Sequence, residues 1–78
     1  MIRLGDIVRI KECDYKHDHP EVTEYWAGSI CVVSLAYYTF YKLEFIEEVA
    51  NFPQRPKNVD NISKYVWKED ELELLFNA

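Results

Sequence analysis

Glycine is nearly missing: Gly5 and Gly28 are the only two in 78 residues. A phosphate cradle needs several positions where backbone N–H groups approach a ligand unobstructed by a Cβ, so a glycine-rich nucleotide loop is excluded. An apolar run of the ~20 residues that cross a bilayer is also lacking. The longest candidate, Ile30 to Tyr41, is interrupted by Ser34 and Thr39. The opening Met1-Ile2-Arg3-Leu4-Gly5-Asp6 does not have the basic region and apolar stretch of a secretory signal. No membrane contact and a cytoplasmic location are therefore expected. Nor is there a basic surplus, since nine Lys and Arg face fourteen Asp and Glu for a net charge of −5, and the first twenty residues only balance. Proteins hold phosphate backbones through cationic patches that release counterions, which argues against nucleic acid as a direct ligand. The two cysteines, Cys13 and Cys31, could in principle pair. In a reducing compartment free thiols are expected instead.

Apolar and aromatic residues are plentiful, at 49% and 15% of the chain. That composition is globular rather than disordered, and the length allows one domain spanning residues 1–78, because a second core could not be enclosed. Residues 2–12 alternate, with Ile2, Leu4, Val8 and Ile10 on one face, and pairing is expected to begin at Ile7 after a turn or bulge at Gly5-Asp6. Residues 13–27 hold no sustained period and read as a long loop around Pro20. The run Ile30-Cys31-Val32-Val33 with Leu35 is apolar on both faces, which predicts a central strand. A tight turn leads into a third strand, about Tyr38 to Ile46, where Tyr41, Leu43 and Phe45 alternate with Lys42 and Glu44. Residues 47–61, with Pro53, Pro56 and three asparagines, form a second long loop. Ile62 to Lys68 reads as a fourth strand and Lys68 to Glu71 as a polar turn. Leu72 to Phe76 then forms a short closing strand in preference to a helix, although Leu72, Leu75 and Phe76 have helical spacing. The expected core is Val8, Ile10, Ile30, Val32, Leu43, Phe45, Val66 and Leu72.

Four segments carry a family resemblance: Gly5-Asp6-Ile7-Val8-Arg9-Ile10, Gly28-Ser29-Ile30-Cys31-Val32-Val33, Tyr41-Lys42-Leu43-Glu44-Phe45 and Val66-Trp67-Lys68-Glu69-Asp70-Glu71-Leu72-Glu73-Leu74-Leu75. Together they resemble the small bacterial and phage SH3-like barrels, KOW-like and Tudor-like in type. The resemblance implies an all-β, five-stranded SH3-like barrel with a long first loop and a long loop before strand four. The opening motif and paired tryptophans of eukaryotic signalling SH3 domains are missing, so recognition of proline-rich peptides is not implied.

Cys13, Asp14, His17, Asp18 and His19 fall within seven residues but lack the paired spacing of a structural zinc site. The same residues supply the types for a Cys–His nucleophile, all on one loop with no evident supporting shell. No metal, cofactor or catalytic centre is expected. Pro53-Gln54-Arg55-Pro56-Lys57 matches a minimal proline ligand and reads as a stiffened surface loop. The aromatics carry more information. Tyr25-Trp26 at the end of the first loop and Tyr37-Tyr38 in the next turn are expected to form one exposed patch rimmed by Glu24, a surface for a protein or peptide partner. The leading expectation is thus a non-catalytic protein-binding module. The alternatives are a nucleic-acid-associated KOW-like protein and a small acidic inhibitor of a host nucleic-acid-binding protein.

Overall fold

The computed structural model describes residues 1–12 and 20–78. In chain order these form strand β1 (Ile7–Ile10), helix α1 (Pro20–Trp26), strands β2 (Ile30–Tyr37) and β3 (Phe40–Glu47), a 3₁₀ turn (Ile62–Lys64), strand β4 (Trp67–Lys68), a second 3₁₀ turn (Glu69–Glu71) and strand β5 (Leu72–Phe76). Every strand pairs antiparallel with its neighbours in one sheet ordered β4-β3-β2-β1-β5. The sheet curls into a half-barrel, a small all-β fold of the SH3-like type. Strand β2 sits at its centre, where its two apolar faces predicted it would be.

The inner face of the curl holds Val8, Ile10, Cys31, Val33, Tyr41, Leu43, Trp67 and Leu72, all buried, with Phe45 packed against them. Bulges between Ile30 and Cys31 and between Val33 and Leu35 shift the β2–β3 register. Such extra residues bend a strand and increase its twist, as the curl requires.

Three sequence expectations are corrected here. Residues 20–26 are helical: Val22, Tyr25 and Trp26 have i, i+3, i+4 spacing and turn together into the core, and Pro20 occupies the first turn, where its missing N–H costs nothing. Ile30 and Val32 are half-buried on the outer face, and Cys31 and Val33 take the inner positions. Alternation could not phase a strand apolar on both sides, and a one-residue slip exchanges its faces. Val66 is exposed and Trp67 is buried in its place, on a strand of two residues rather than seven. The larger indole gains more from leaving water.

Polar ties close the ends of the sheet. Asp6 is buried and accepts the backbone N–H of Arg3 at 2.8 Å and of Ala78 at 2.7 Å, which together hold its carboxyl below the usual range. Gly5, at φ +87°, makes the turn just before it, and its N–H reaches the carbonyl of Val33. The C-terminal end of α1 is secured from the second long loop: Asn51 Nδ2 lies within 3.1 Å of the carbonyls of Glu24, Tyr25 and Ala27. That side chain serves carbonyls which a helix end leaves without an internal partner. Val59 of the same loop enters the core, and Arg55 stacks its guanidinium 5.7 Å from the Trp26 ring. The proline-flanked segment is therefore folded onto the domain.

Candidate interaction surface

Strand register assigns the outward positions of the sheet. Ile7 pairs with Val32 and Phe76, Arg9 with Ile30 and Glu73, Val32 with Glu44, Ile30 with Glu47, Leu35 with Lys42, and Phe40 with Tyr37 and Lys68. Each of these pairs shares the face opposite the core, since inner and outer residues alternate along a strand. An antiparallel sheet with one solvated face normally places polar residues there. In this sheet Ile7, Ile30, Val32, Leu35, Tyr37, Phe40 and Phe76 take outward positions instead.

The β2–β3 turn extends this surface. Only Tyr38 and Thr39 connect the paired Tyr37 and Phe40, and Tyr38 adopts φ +54°, a left-handed conformation that costs a residue with a side chain about 1–2 kcal/mol. The Tyr38 ring meets Tyr37 edge-on at 4.5 Å between centroids. Tyr37, Tyr38, Phe40 and Phe76 keep 63, 85, 40 and 70% of their surface in solvent, and Leu35 keeps 52%. At roughly 200 Å² per ring the four aromatics alone expose about 500 Å². The largest apolar patch on a monomer is about 300–600 Å² and often functional.

Charges frame the surface evenly. Arg9, Lys42 and Lys68 stand against Glu44, Glu47 and Glu73 at its strand positions, three of each sign, although the chain as a whole carries −5. Arg9 Nη1 bonds Glu73 Oε1 at 3.0 Å, and Lys42 Nζ donates to the Ser63 carbonyl at 2.8 Å. The negative excess therefore resides elsewhere on the molecule.

Of the residues expected to meet a partner, Tyr37 and Tyr38 are exposed and Tyr25 and Trp26 are not. Trp26 is fully buried: its Nε1 donates to Glu48 Oε2 at 3.0 Å, and its ring meets Phe45, Tyr65 and Tyr25. Tyr25 packs on Trp26 and Phe52. Among the described residues no ring contact joins this cluster to Tyr37 and Tyr38, so the expected four-ring patch divides into a core cluster and a surface pair. Glu24 is exposed on α1, its carbonyl near Asn51 rather than on the hairpin surface. Leu35, Phe40 and Phe76 were missed because each fits an alternating strand from either side, and only the bulges decide which.

The remaining candidates offer little chemistry. Burial pushes the Cys31 thiol up to about 12, reinforced by the charge of Glu48, so it stays protonated and unreactive at neutral pH. Burial also raises the Tyr41 phenol, aided by Glu69 and Asp6. The expectations for Cys13, Asp14, His17, Asp18 and His19 lie outside the described residues. A cleft beside Val22, Phe40, Val66 and Trp67 encloses about 40 Å³, room for no more than a few waters. Trp67 Nε1, next to it, is the one buried side-chain polar atom among the described residues with no hydrogen-bond partner. No helix among the described residues is long and apolar enough to cross a membrane.

The fold and the surface define a small SH3-like half-barrel whose solvent-facing sheet carries apolar and aromatic side chains among balanced charges. Comparison with family models, with curated proteins and with solved structures finds no match for this chain.

Proposed function

We propose that the chain is a non-catalytic protein-binding module whose docking surface is the outer face of the sheet and the Tyr37–Tyr38 turn. One observation carries this reading: Ile7, Ile30, Val32, Leu35, Tyr37 and Phe40 take outward positions on β1, β2 and the hairpin, between the charged Arg9, Lys42 and Glu44, where a solvated sheet places polar side chains. The strained backbone at Tyr38 supports it, because an aromatic ring held in a left-handed turn is a feature that local stability alone disfavours. Rigid aromatic rings supply contact area at little cost in side-chain entropy. An acidic chain with balanced charge on this face also suits a protein better than a polyanion.

The test is site-specific photo-crosslinking in cells, with a benzophenone side chain placed in turn at Leu35, at Tyr38 and, as control, at Asp70 of the second 3₁₀ turn. Discrete protein adducts from positions 35 and 38 but not from 70 are the expected result. No adduct at 35 or 38, or nucleic acid as the adduct, would contradict the reading.

A further inference from the structure

Strand β2 presents the problem most sharply. Ile30-Cys31-Val32-Val33 has the pattern of a strand covered on both sides, yet on the outer face the described residues cover Ile30 and Val32 only in part and leave Leu35 exposed. We propose that a second copy of this chain covers the other, packing sheet on sheet about a two-fold axis. The inference rests on the outer face being a docking surface and goes further by naming its occupant.

Three features favour self-association. The first is area: the four exposed aromatics contribute about 500 Å², and Leu35 with the half-buried Ile7, Ile30 and Val32 brings the apolar total to about 600–700 Å², most of the ~800 Å² that each partner gives to a standard interface. The second is neutrality, since a face with three cations and three anions is not a surface selected for a strongly basic partner, even on a chain carrying −5.

The third is how those charges are ordered. Along β3 the acidic Glu44 and Glu47 lie toward one end, while Lys42 lies toward the other, beside Lys68 of the neighbouring strand. A two-fold axis in the interface, perpendicular to the strands, reverses this order in the second copy. Placed between the Leu35–Lys42 and Val32–Glu44 pairs, it sets Lys42 of each copy against Glu44 of the other, Leu35 against Val32, and Tyr37 against Ile30. Such an interface is isologous, with the same patch contributed twice, an apolar centre and a charged margin.

Charge reversal tests the arrangement because each substitution appears twice in the dimer. Sedimentation equilibrium of the full chain is measured for wild type, Lys42→Glu, Glu44→Lys and the double exchange, with circular dichroism showing that all four remain folded. The wild type is expected to dimerise, each single reversal to weaken the dimer at least about tenfold, and the double exchange to recover most of the loss. Leu35→Glu, which inserts charge at the centre, should leave only monomer.

A wild type that remains monomeric at near-millimolar concentration overturns the inference, and so does a dimer indifferent to both Lys42→Glu and Leu35→Glu. The crosslinking adducts separate the two proposals. A species of twice the chain's mass supports the second copy. An adduct with a different protein leaves the docking surface standing and removes self-association.

Discussion

Tyr25-Trp26 and Tyr37-Tyr38 are near-identical dipeptides that the fold uses in opposite ways. The first pair ends a two-turn helix, with Val22 one turn earlier on the same face, and its rings join Phe45, Phe52 and Tyr65 beneath the sheet. The second straddles the end of β2, with Tyr37 its last residue and Tyr38 the first of the two-residue connection; no described element covers it, and its rings contact only each other among the ring pairs of the described residues. Aromatic content therefore says that large surfaces must be buried somewhere. The local period decides whether this chain buries them or leaves them for something else.

The largest expected effect is at the first pair. Trp26→Ala removes a fully buried ring, its hydrogen bond to Glu48 and the surface on which Arg55 stacks. A loss of about 3–5 kcal/mol is expected in urea unfolding, enough to leave a domain of this size partly unfolded. A variant that unfolds at the parent's urea midpoint would return Trp26 to the surface.

A smaller, pH-dependent effect separates the sheet margin from its core. Because the N–H groups of Ala78 and, next, Arg3 lower the Asp6 pKa in the folded state, its contribution to stability is fully present above the unfolded carboxyl pKa of about 4. It fades as pH falls through the lower folded value. Asp6→Asn is therefore expected to be less stable than wild type near neutrality, with the gap between them closing below about pH 4. A gap that is constant from neutral to acid pH would mean that the carboxylate charge contributes nothing. The bonds concerned anchor the turn before β1 and the chain just beyond Phe76, so the β5 margin of the outer face depends on Asp6.

The smallest effect falls on the second pair and has the opposite sign to that at Trp26. Tyr38→Gly relieves a left-handed backbone at the cost of an exposed ring contact. The melting temperature should hold or rise slightly while crosslinking and self-association through the outer face weaken. A clear loss of stability would show that the ring serves the fold.

Much of the architecture was legible because it depends on local signals. Gly5-Asp6 marked the turn before β1, the polar Lys68 to Glu71 step marked the 3₁₀ turn before β5, and the alternation of Tyr41, Leu43 and Phe45 phased β3 correctly. The failures share a physical cause. Ile30 to Val33 is apolar at every position, so only the bulges and the partners' register assign its faces, and neither is written in the strand itself. Helix α1 was hidden by Pro20, which breaks a helix in its interior but is welcome in its first turn. The candidate surface was half legible for the same reason: Tyr37 and Tyr38 stand at the tip of the β2–β3 hairpin, where a tight turn leaves side chains uncovered, whereas Leu35, Phe40 and Phe76 become outward only once five strands are in register.

Surface labelling of tyrosine reads the contrast directly. The folded protein is iodinated at limiting reagent, and the modified residues are mapped by mass spectrometry across a range of protein concentrations. Tyr37 and Tyr38 should react while Tyr25 and Tyr41 stay protected, and labelling of the first two should fall as concentration rises and the outer face becomes occupied. Labelling of Tyr25 to the same extent as Tyr38, at every concentration, would contradict the division of the aromatics into a core cluster and a docking surface.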